Sequence, residues 1–256
     1  MKFRIYMTKS DERSINLQKE ILKSLLFLNY QEDNLHPNLI IVIGGDGTFI
    51  DAIREYNDSL DKVKFICFNT GILGYYNDFK KEDLEHLENY LTGKVGFIEE
   101  LTMLETKIAD KTYKAINEFI LLNQPHNIYY NVYIDGILLE EFFGSGLLLS
   151  TPTGSTAYNR SLRGAILDTY LDAFELTEIA AINSSKYLSV NNPVVFRDSH
   201  KIIFEAKKEQ NVMLTCDNQV IDISKIEKIE FYKSSSKVYL ITKEKDTFIS
   251  RLKKAL

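Results

Sequence analysis

The segment Leu39-Ile40-Ile41-Val42-Ile43-Gly44-Gly45-Asp46-Gly47-Thr48 constrains this chain more than any other. Five apolar residues, mostly β-branched, suit a strand buried on both faces of a parallel sheet. The glycines that end it let the backbone turn sharply and let a large anion approach the main chain. Asp46 then stands at the carboxyl end of a strand, where open α/β sheets bind their ligands. One carboxylate beside bare backbone N–H groups suits phosphoryl transfer to a hydroxyl. The N–H groups hold phosphate oxygens and the acid takes the proton. Gly-Gly-Asp-Gly alone is equally four turn-forming residues; the strand in front is what favours a phosphate loop.

The flanking pattern alternates strand and helix. Residues 3–7, 39–43 and 64–68 read as strands. A helix follows Ser10, its expected cap, with Ile15, Ile21, Leu22, Leu25 and Leu26 on the buried face. Residues 49–56 and 81–90 read as further helices, the latter turning Leu84, Leu87 and Leu91 to the core. This βαβα order predicts a parallel three-layer domain. Near Gly93 and Gly96 the texture changes, and strands dominate from Ile98. Asp135-Gly136 between two apolar runs signals a hairpin. Further strands are expected over 103–109, 112–116, 147–149, 194–196, 201–205, 212–216, 228–232 and 238–242, with helical insertions over 155–162 and 172–179. The expected fold is an α/β N-terminal domain with a parallel, Rossmann-like sheet, followed by a β-rich C-terminal domain built as an antiparallel β-sandwich. The boundaries fall at 1–97 and 98–244. The tail 245–256 spaces Phe248, Ile249, Leu252 and Leu256 as an apolar helical stripe that seeks a partner surface, either the first domain or another subunit.

Composition removes several function classes. A net charge of −5 over 256 residues leaves no basic footprint for nucleic acid. Four scattered histidines, His36, His86, His126 and His200, argue against a histidine metal centre. Cys67 and Cys216 lack metal-ligand spacing and read as core residues of a protein in the reducing cytoplasm. The charge-free stretch from Phe142 to Asn159 is broken by Gly, Pro, Ser and Thr, and is no membrane span.

Two more motifs carry chemistry. Asn117-Glu118 follows a strand; Asn can read an adenine edge and Glu can accept from a ribose diol, although alone the pair reads more readily as a surface pair at a strand end. Thr151-Pro152-Thr153-Gly154-Ser155-Thr156-Ala157-Tyr158 follows the apolar Leu147-Leu148-Leu149. Ser155 or Thr156 is positioned to cap a helix and leave its N–H groups free, with Tyr158 as a flat ring for stacking. An ordinary capped helix start accounts for the same residues, and the density of hydroxyls favours a ligand site.

Together these motifs resemble the NAD kinase family. Gly44 to Thr48 is similar to that family's glycine signature, and Asn69-Thr70-Gly71-Ile72-Leu73-Gly74-Tyr75-Tyr76 to its segment after the third strand. Asn117-Glu118 and Thr151 to Tyr158 match its other signatures in order. The resemblance implies phosphorylation of the 2′-hydroxyl of the adenosine ribose of NAD, giving NADP, with ATP or polyphosphate as donor and Mg²⁺ or another divalent cation screening the phosphates. Asp46 would be the general base, and the amides of Gly45, Gly47 and Thr48 would hold the donor. Asn117 and Glu118 would bind adenosine, Thr153, Thr156 and Ala157 would line the adenine pocket, and Tyr75 would cover it. Tyr158 and Ser161 would reach toward the pyrophosphate and nicotinamide, an end also lined by Ala180 and Ile182. The family further implies a homodimer or homotetramer and a tail that returns to the first domain. One departure stands out: Ser145 takes the place of an expected Asp, and Phe143 that of a frequent basic residue. Substrate affinity is thereby placed in question more than the chemistry. A non-catalytic dinucleotide sensor of the same fold, or a lipid or sugar kinase sharing the glycine loop, are the competing readings.

Overall fold

The computed structural model describes residues 1–71, 74–123, 125–184, 187, 189–245 and 247–255. Ile72 and Leu73 of the second motif, and Asp246 and Leu256 of the tail, lie outside them. The chain forms two compact units, one from Met1–Leu101 with Ser236–Leu256, the other from Thr102–Ser235.

The first unit opens with β1 (Lys2–Met7), α1 (Glu12–Phe27), β2 (Gln31–Glu32), β3 (Leu39–Gly44), α2 (Asp46–Glu55), β4 (Lys64–Asn69), α3 (Leu87–Leu91) and β5 (Phe97–Leu101). All six residues of β3 are buried, as a parallel strand covered on both faces requires. It pairs in parallel with β1 and β4. One face of the sheet packs Ile41, Ile66 and Phe68 against Leu17, Ile21 and Leu25 of α1. On the other face Phe49 of α2 meets Phe65 edge-on at 5.6 Å. Each such side chain taken fully from water contributes roughly 1.5–3 kcal/mol. Asp11, not Ser10, caps α1: its Oδ1 accepts from the Ser14 N–H at 3.0 Å. The expected helix over 81–90 is a 3₁₀ stretch, Lys81–His86, that leads into the short α3.

The strand expected over 238–242 in the β-rich part belongs to this sheet, as does β5, which the sequence pattern did not announce. Val238–Thr242 lies between β4, to which it is parallel, and β5, to which it is antiparallel. Its residues Leu240, Ile241 and Thr242 are buried in succession, the mark of a strand covered on both sides. Local alternation announces a strand without naming its sheet. The C-terminal helix, Phe248–Ala255, belongs to the same unit.

The second unit holds β6 (Leu104–Ile108), β7 (Lys111–Ala115), β8 (Glu118–Leu122), β9 (Ile128–Ile134), β10 (Ile137–Gly144) and β11 (Gly146–Ser150). A one-turn helix α4 (Tyr158–Ser161) follows, then β12 (Ala173–Ile179), β13 (Val194–Arg197), β14 (Ile202–Ala206), β15 (Met213–Cys216), β16 (Gln219–Asp222) and β17 (Lys228–Lys233). They make two six-stranded sheets, β10-β9-β14-β17-β6-β7 and β13-β12-β11-β8-β15-β16. Alternate residues of both share one core: Tyr130, Val132, Phe204 and Phe231 from the first, and Phe119, Leu121, Leu149 and Phe174 from the second. The helix expected over 172–179 is instead β12. Its pairing with β11 and β13 overrides the helix-forming Ala, Leu and Glu in that segment. Among the described residues no helix is long and apolar enough to cross a membrane.

Candidate active site

In the first unit β1 lies between β2 and β3, so the strand order reverses beside the carboxyl ends of β1 and β3. Thr8 and Thr48 meet there, their hydroxyls 2.8 Å apart. A Cβ at Gly44 would come within 2.5 Å of the Thr48 hydroxyl, so glycine is what lets the loop close onto α2. Gly45 and Gly47 face open space. Gly45 is the N-cap of α2 and, having no side chain, leaves the first turn uncovered. The loop thus presents main chain, not side chains, at the positive end of a ten-residue helix.

Asp46 is the first residue of that helix. Its Oδ2 accepts from the Tyr75 N–H at 2.9 Å and its Oδ1 from the Tyr76 N–H at 3.1 Å, with the Asn77 amide at 3.4 Å. The second motif therefore grips the acid of the first through its backbone. Asn77, one residue beyond that motif, was missed. Tyr75 is 9% exposed, with its ring 5.6 Å from the Arg251 guanidinium and edge-on to Tyr76. It is packed inside the unit, not laid open as the stacking surface expected of it.

In the second unit, Glu118 corrects the reading of its motif as a surface pair. It is 6% exposed, at the start of β8, and its Oε2 is buried with no hydrogen-bond partner among the described residues. Burial, reinforced by the charge of Asp217, pushes its carboxyl up to about 8. Asp217 was also missed. Its carboxylate accepts from the N–H groups of Ile116, Asn117 and Glu118 at 3.0, 2.8 and 3.1 Å. The available signal was the Asp217-Asn218 turn after a strand, with Asp217 at φ +50°.

The hydroxyl-rich block is stitched to the same backbone. The Thr151 hydroxyl donates to the Ile116 carbonyl at 2.5 Å and accepts from the Gly154 N–H at 3.0 Å, while the Thr151 N–H reaches the Asn117 carbonyl at 2.9 Å. A Cβ at Gly154 would fall inside the Asn117 backbone, so only glycine admits this approach. Ser155 caps no helix. Its buried hydroxyl donates to the Pro152 carbonyl at 2.6 Å and accepts from the Leu167 N–H at 2.9 Å. The helix expected over 155–162 is a 3₁₀ turn, Thr153–Thr156, followed by α4. Thr153 is buried, Thr156 and Ala157 are half-buried, and Tyr158 and Ser161 are exposed. Asn159, fixed by Glu175 at 2.8 Å and Thr177 at 2.6 Å, anchors α4 from below.

Ser145 joins β10 to β11, and its N–H donates to the Ile179 carbonyl at 2.9 Å. Ile182 donates to the Phe143 carbonyl at 2.8 Å. Ser145, Ala180 and Ile182 are thereby brought together, beside a Phe143 ring stacked on Tyr187 at 4.6 Å. Glu140, a further buried acid unread in the sequence, shares the Val190 N–H with Glu178. Burial and the hydrogen bond to Glu178 push its carboxyl up to about 9.

Comparison with known proteins assigns both units. Residues 8–97 match the model of the ATP-NAD kinase N-terminal domain, and residues 116–243 that of the ATP-NAD kinase C-terminal domain. The chain belongs to the NAD kinase family. NAD kinases are phosphotransferases, and the N-terminal match holds Gly44 to Thr48 and Tyr75, while the C-terminal match holds every candidate residue from Asn117 to Ile182. The chain is similar to an NAD kinase of Streptococcus pneumoniae (strain 70585), 33% identical over 229 residues that cover 87% of this chain and 84% of the relative. Two crystal structures share the NAD kinase fold. A yeast NADH kinase complexed with NADH superposes with a TM-score of 0.84 at 19% identity, covering 99% of this chain and 86% of that one. An NAD kinase from Archaeoglobus fulgidus in complex with ATP superposes with a TM-score of 0.80 at 22% identity, covering 100% and 98%.

Proposed function

We propose that this chain transfers a phosphoryl group from ATP or polyphosphate to the 2′-hydroxyl of the adenosine ribose of NAD, giving NADP. The observation that carries the reading is Asp46. Its carboxylate is fixed by two backbone N–H groups at the head of α2, between glycines that face open space. With Tyr76 and Asn77 on Oδ1 and Tyr75 alone on Oδ2, Oδ2 keeps a lone pair for a substrate hydroxyl, whose proton Asp46 accepts as the bond to phosphorus forms. The main chain at Gly45, Gly47 and Thr48 holds the donor phosphates, aided by the dipole of α2. Much of the acceleration then comes from positioning.

Acceptor binding falls to the second unit. The unpartnered Glu118 oxygen takes a ribose hydroxyl, and Asn117 reads the adenine edge. Thr153, Thr156 and Ala157 line the base, Tyr158 and Ser161 serve the pyrophosphate side, and Ser145, Ala180 and Ile182 the nicotinamide end. Tyr75 contributes through its backbone N–H to Asp46. Mg²⁺ suits the donor set: a half-buried carboxylate beside open main chain leaves room for a hydrated ion carried on the phosphates, whose charge it screens. The two free, buried cysteines accord with a cytoplasmic protein, and the family resemblance supports a homodimer or homotetramer.

The deciding experiment incubates the purified chain with NAD, Mg²⁺ and either ATP or polyphosphate, and reads NADP with an NADP-specific dehydrogenase. NADP is expected from at least one donor. NAD binding without NADP from either donor replaces the kinase with the dinucleotide sensor.

A further inference from the structure

Arg251 has the largest fully buried side chain among the described residues, yet it lies in the last helix, far in sequence from every motif. A buried guanidinium requires partners, because its desolvation is costly unless charge and hydrogen bonds compensate it. Three groups surround it. Nη1 donates to Glu99 Oε2 at 2.7 Å, Nη2 donates to Asp78 Oδ2 at 3.2 Å, and the Tyr75 ring lies 5.6 Å from the guanidinium carbon. Lys254, one turn on, donates to the other Asp78 oxygen at 3.0 Å.

Tyr75 and Asp78 bound a four-residue segment with two opposed attachments. Its backbone N–H groups at Tyr75 and Tyr76, with the Asn77 amide, hold the Asp46 carboxylate. Its Tyr75 ring and Asp78 carboxylate hold the terminal helix. Gly74, just before it, lies so close to the Asn77 side-chain amide that a Cβ there would collide with it.

We propose that Arg251 is a positioning residue for the phosphoryl transfer: through Tyr75 and Asp78 it sets the backbone donors that aim Asp46. The inference rests on Asp46 being the general base. A planar fork with two carboxylates and an aromatic face around it fixes orientation as well as distance, which a lysine cannot reproduce. The terminal helix is thus a strut behind the catalytic carboxylate, beyond its part in closing the fold.

The test measures kcat and KM for NAD and ATP in the full chain at a temperature where each variant is folded by circular dichroism. Arg251→Ala is expected to lower kcat about 10²-fold with both KM values within about threefold, since a small misplacement of a reacting group acts on the transition state. Methylguanidinium, which fits the vacated cavity, should restore about tenfold of the loss, and Arg251→Lys should restore less. Thr247→Val serves as the stapling control. It removes the Thr247 bonds to Glu99 at 3.2 and 3.3 Å and leaves Asp78 and Tyr75 alone, so it should lower the melting temperature and keep kcat. Should Arg251→Ala fail to fold, Asp78→Asn, which keeps the side-chain shape, carries the same expected loss of kcat. An unchanged kcat in Arg251→Ala, a loss confined to KM, an absence of methylguanidinium rescue, or an equal loss of kcat in Thr247→Val each overturns the proposal. Asp46→Asn in parallel separates the two readings. If Asp46→Asn stays active, the base assignment fails. If it is inactive while Arg251→Ala is fully active, only the role of Arg251 fails.

Discussion

Asp46 and Glu118 are both acids at strand ends, and the molecule treats them in opposite ways. Asp46 is half-buried and both its oxygens accept backbone N–H bonds, so its position is set before any ligand arrives. Glu118 is almost wholly buried, with one oxygen left without a partner among the described residues and its carboxyl raised to about 8. A supported carboxylate is suited to act on a proton. A buried one lacking a donor is suited to bind a group that brings one. Under the proposed function the difference separates chemistry from recognition, with Asp46 in the first unit and Glu118 in the second.

The sharpest way to break that contrast is Asp46→Asn. Turnover should fall about 10²-fold or more while NAD affinity stays within a few-fold, because the amide keeps the shape and loses the base. Unchanged turnover in a coupled NADP assay would end the distinction. Glu118→Gln should do the reverse, weakening NAD affinity about tenfold by calorimetry above about pH 8, where the carboxyl is ionised and the substitution turns a charged acceptor neutral, with a smaller effect on kcat. An effect on kcat alone would make Glu118 a chemical group and not a binding one.

Glu118 also predicts a pH dependence. Its folded carboxyl, at about 8, lies above the ordinary 4.5, so the folded state holds the proton more tightly than the unfolded chain does. The associated stability is full below about pH 4.5 and is lost as pH rises toward about 8. Glu140, raised to about 9, acts with the same sign over a slightly wider range. Urea midpoints of the ligand-free protein should therefore fall between about pH 5 and 8, and Glu118→Gln should flatten part of that slope. A slope identical in the variant would remove Glu118 from the account. The smallest effect belongs to Ser145→Asp, which should change KM for NAD a few-fold and leave turnover within about twofold, since it adds charge at a residue proposed to bind and leaves the base Asp46 unchanged. A large gain in turnover would mean that the carboxylate missing at this position serves catalysis.

Much of the site was legible because strand-loop motifs are local. The apolar run of β3 and its glycines announced Asp46, and the block from Thr151 to Tyr158 announced a defined loop. Other features depended on partners distant in sequence. Asp217 reaches the N–H groups of residues 116–118 across about a hundred positions, and the Asp217-Asn218 pair announces a turn without naming that partner. Ser155 resembled a helix cap because its hydroxyl was free to be read that way, and burial gave that hydroxyl to Pro152 and Leu167 instead. The tail read as an apolar stripe, yet Ile249 is 56% exposed while the charged Arg251 is fully buried. A charge buries itself only where opposite charges are already placed, and only the fold brings Asp78 and Glu99 to it.

Sequence by itself determined the two-part architecture, the glycine loop with its one acid, and the family to which these motifs are similar, because each is written in contiguous residues whose backbone preferences act at short range. Tertiary structure alone decided which sheet receives the strand Val238–Thr242, that Glu118 is buried and not a surface residue, and that Asp46 is held by the backbone of Tyr75 and Tyr76 with Arg251 behind them. Those outcomes depend on desolvation and on the pairing of distant polar groups, quantities that exist only once the chain has closed around them.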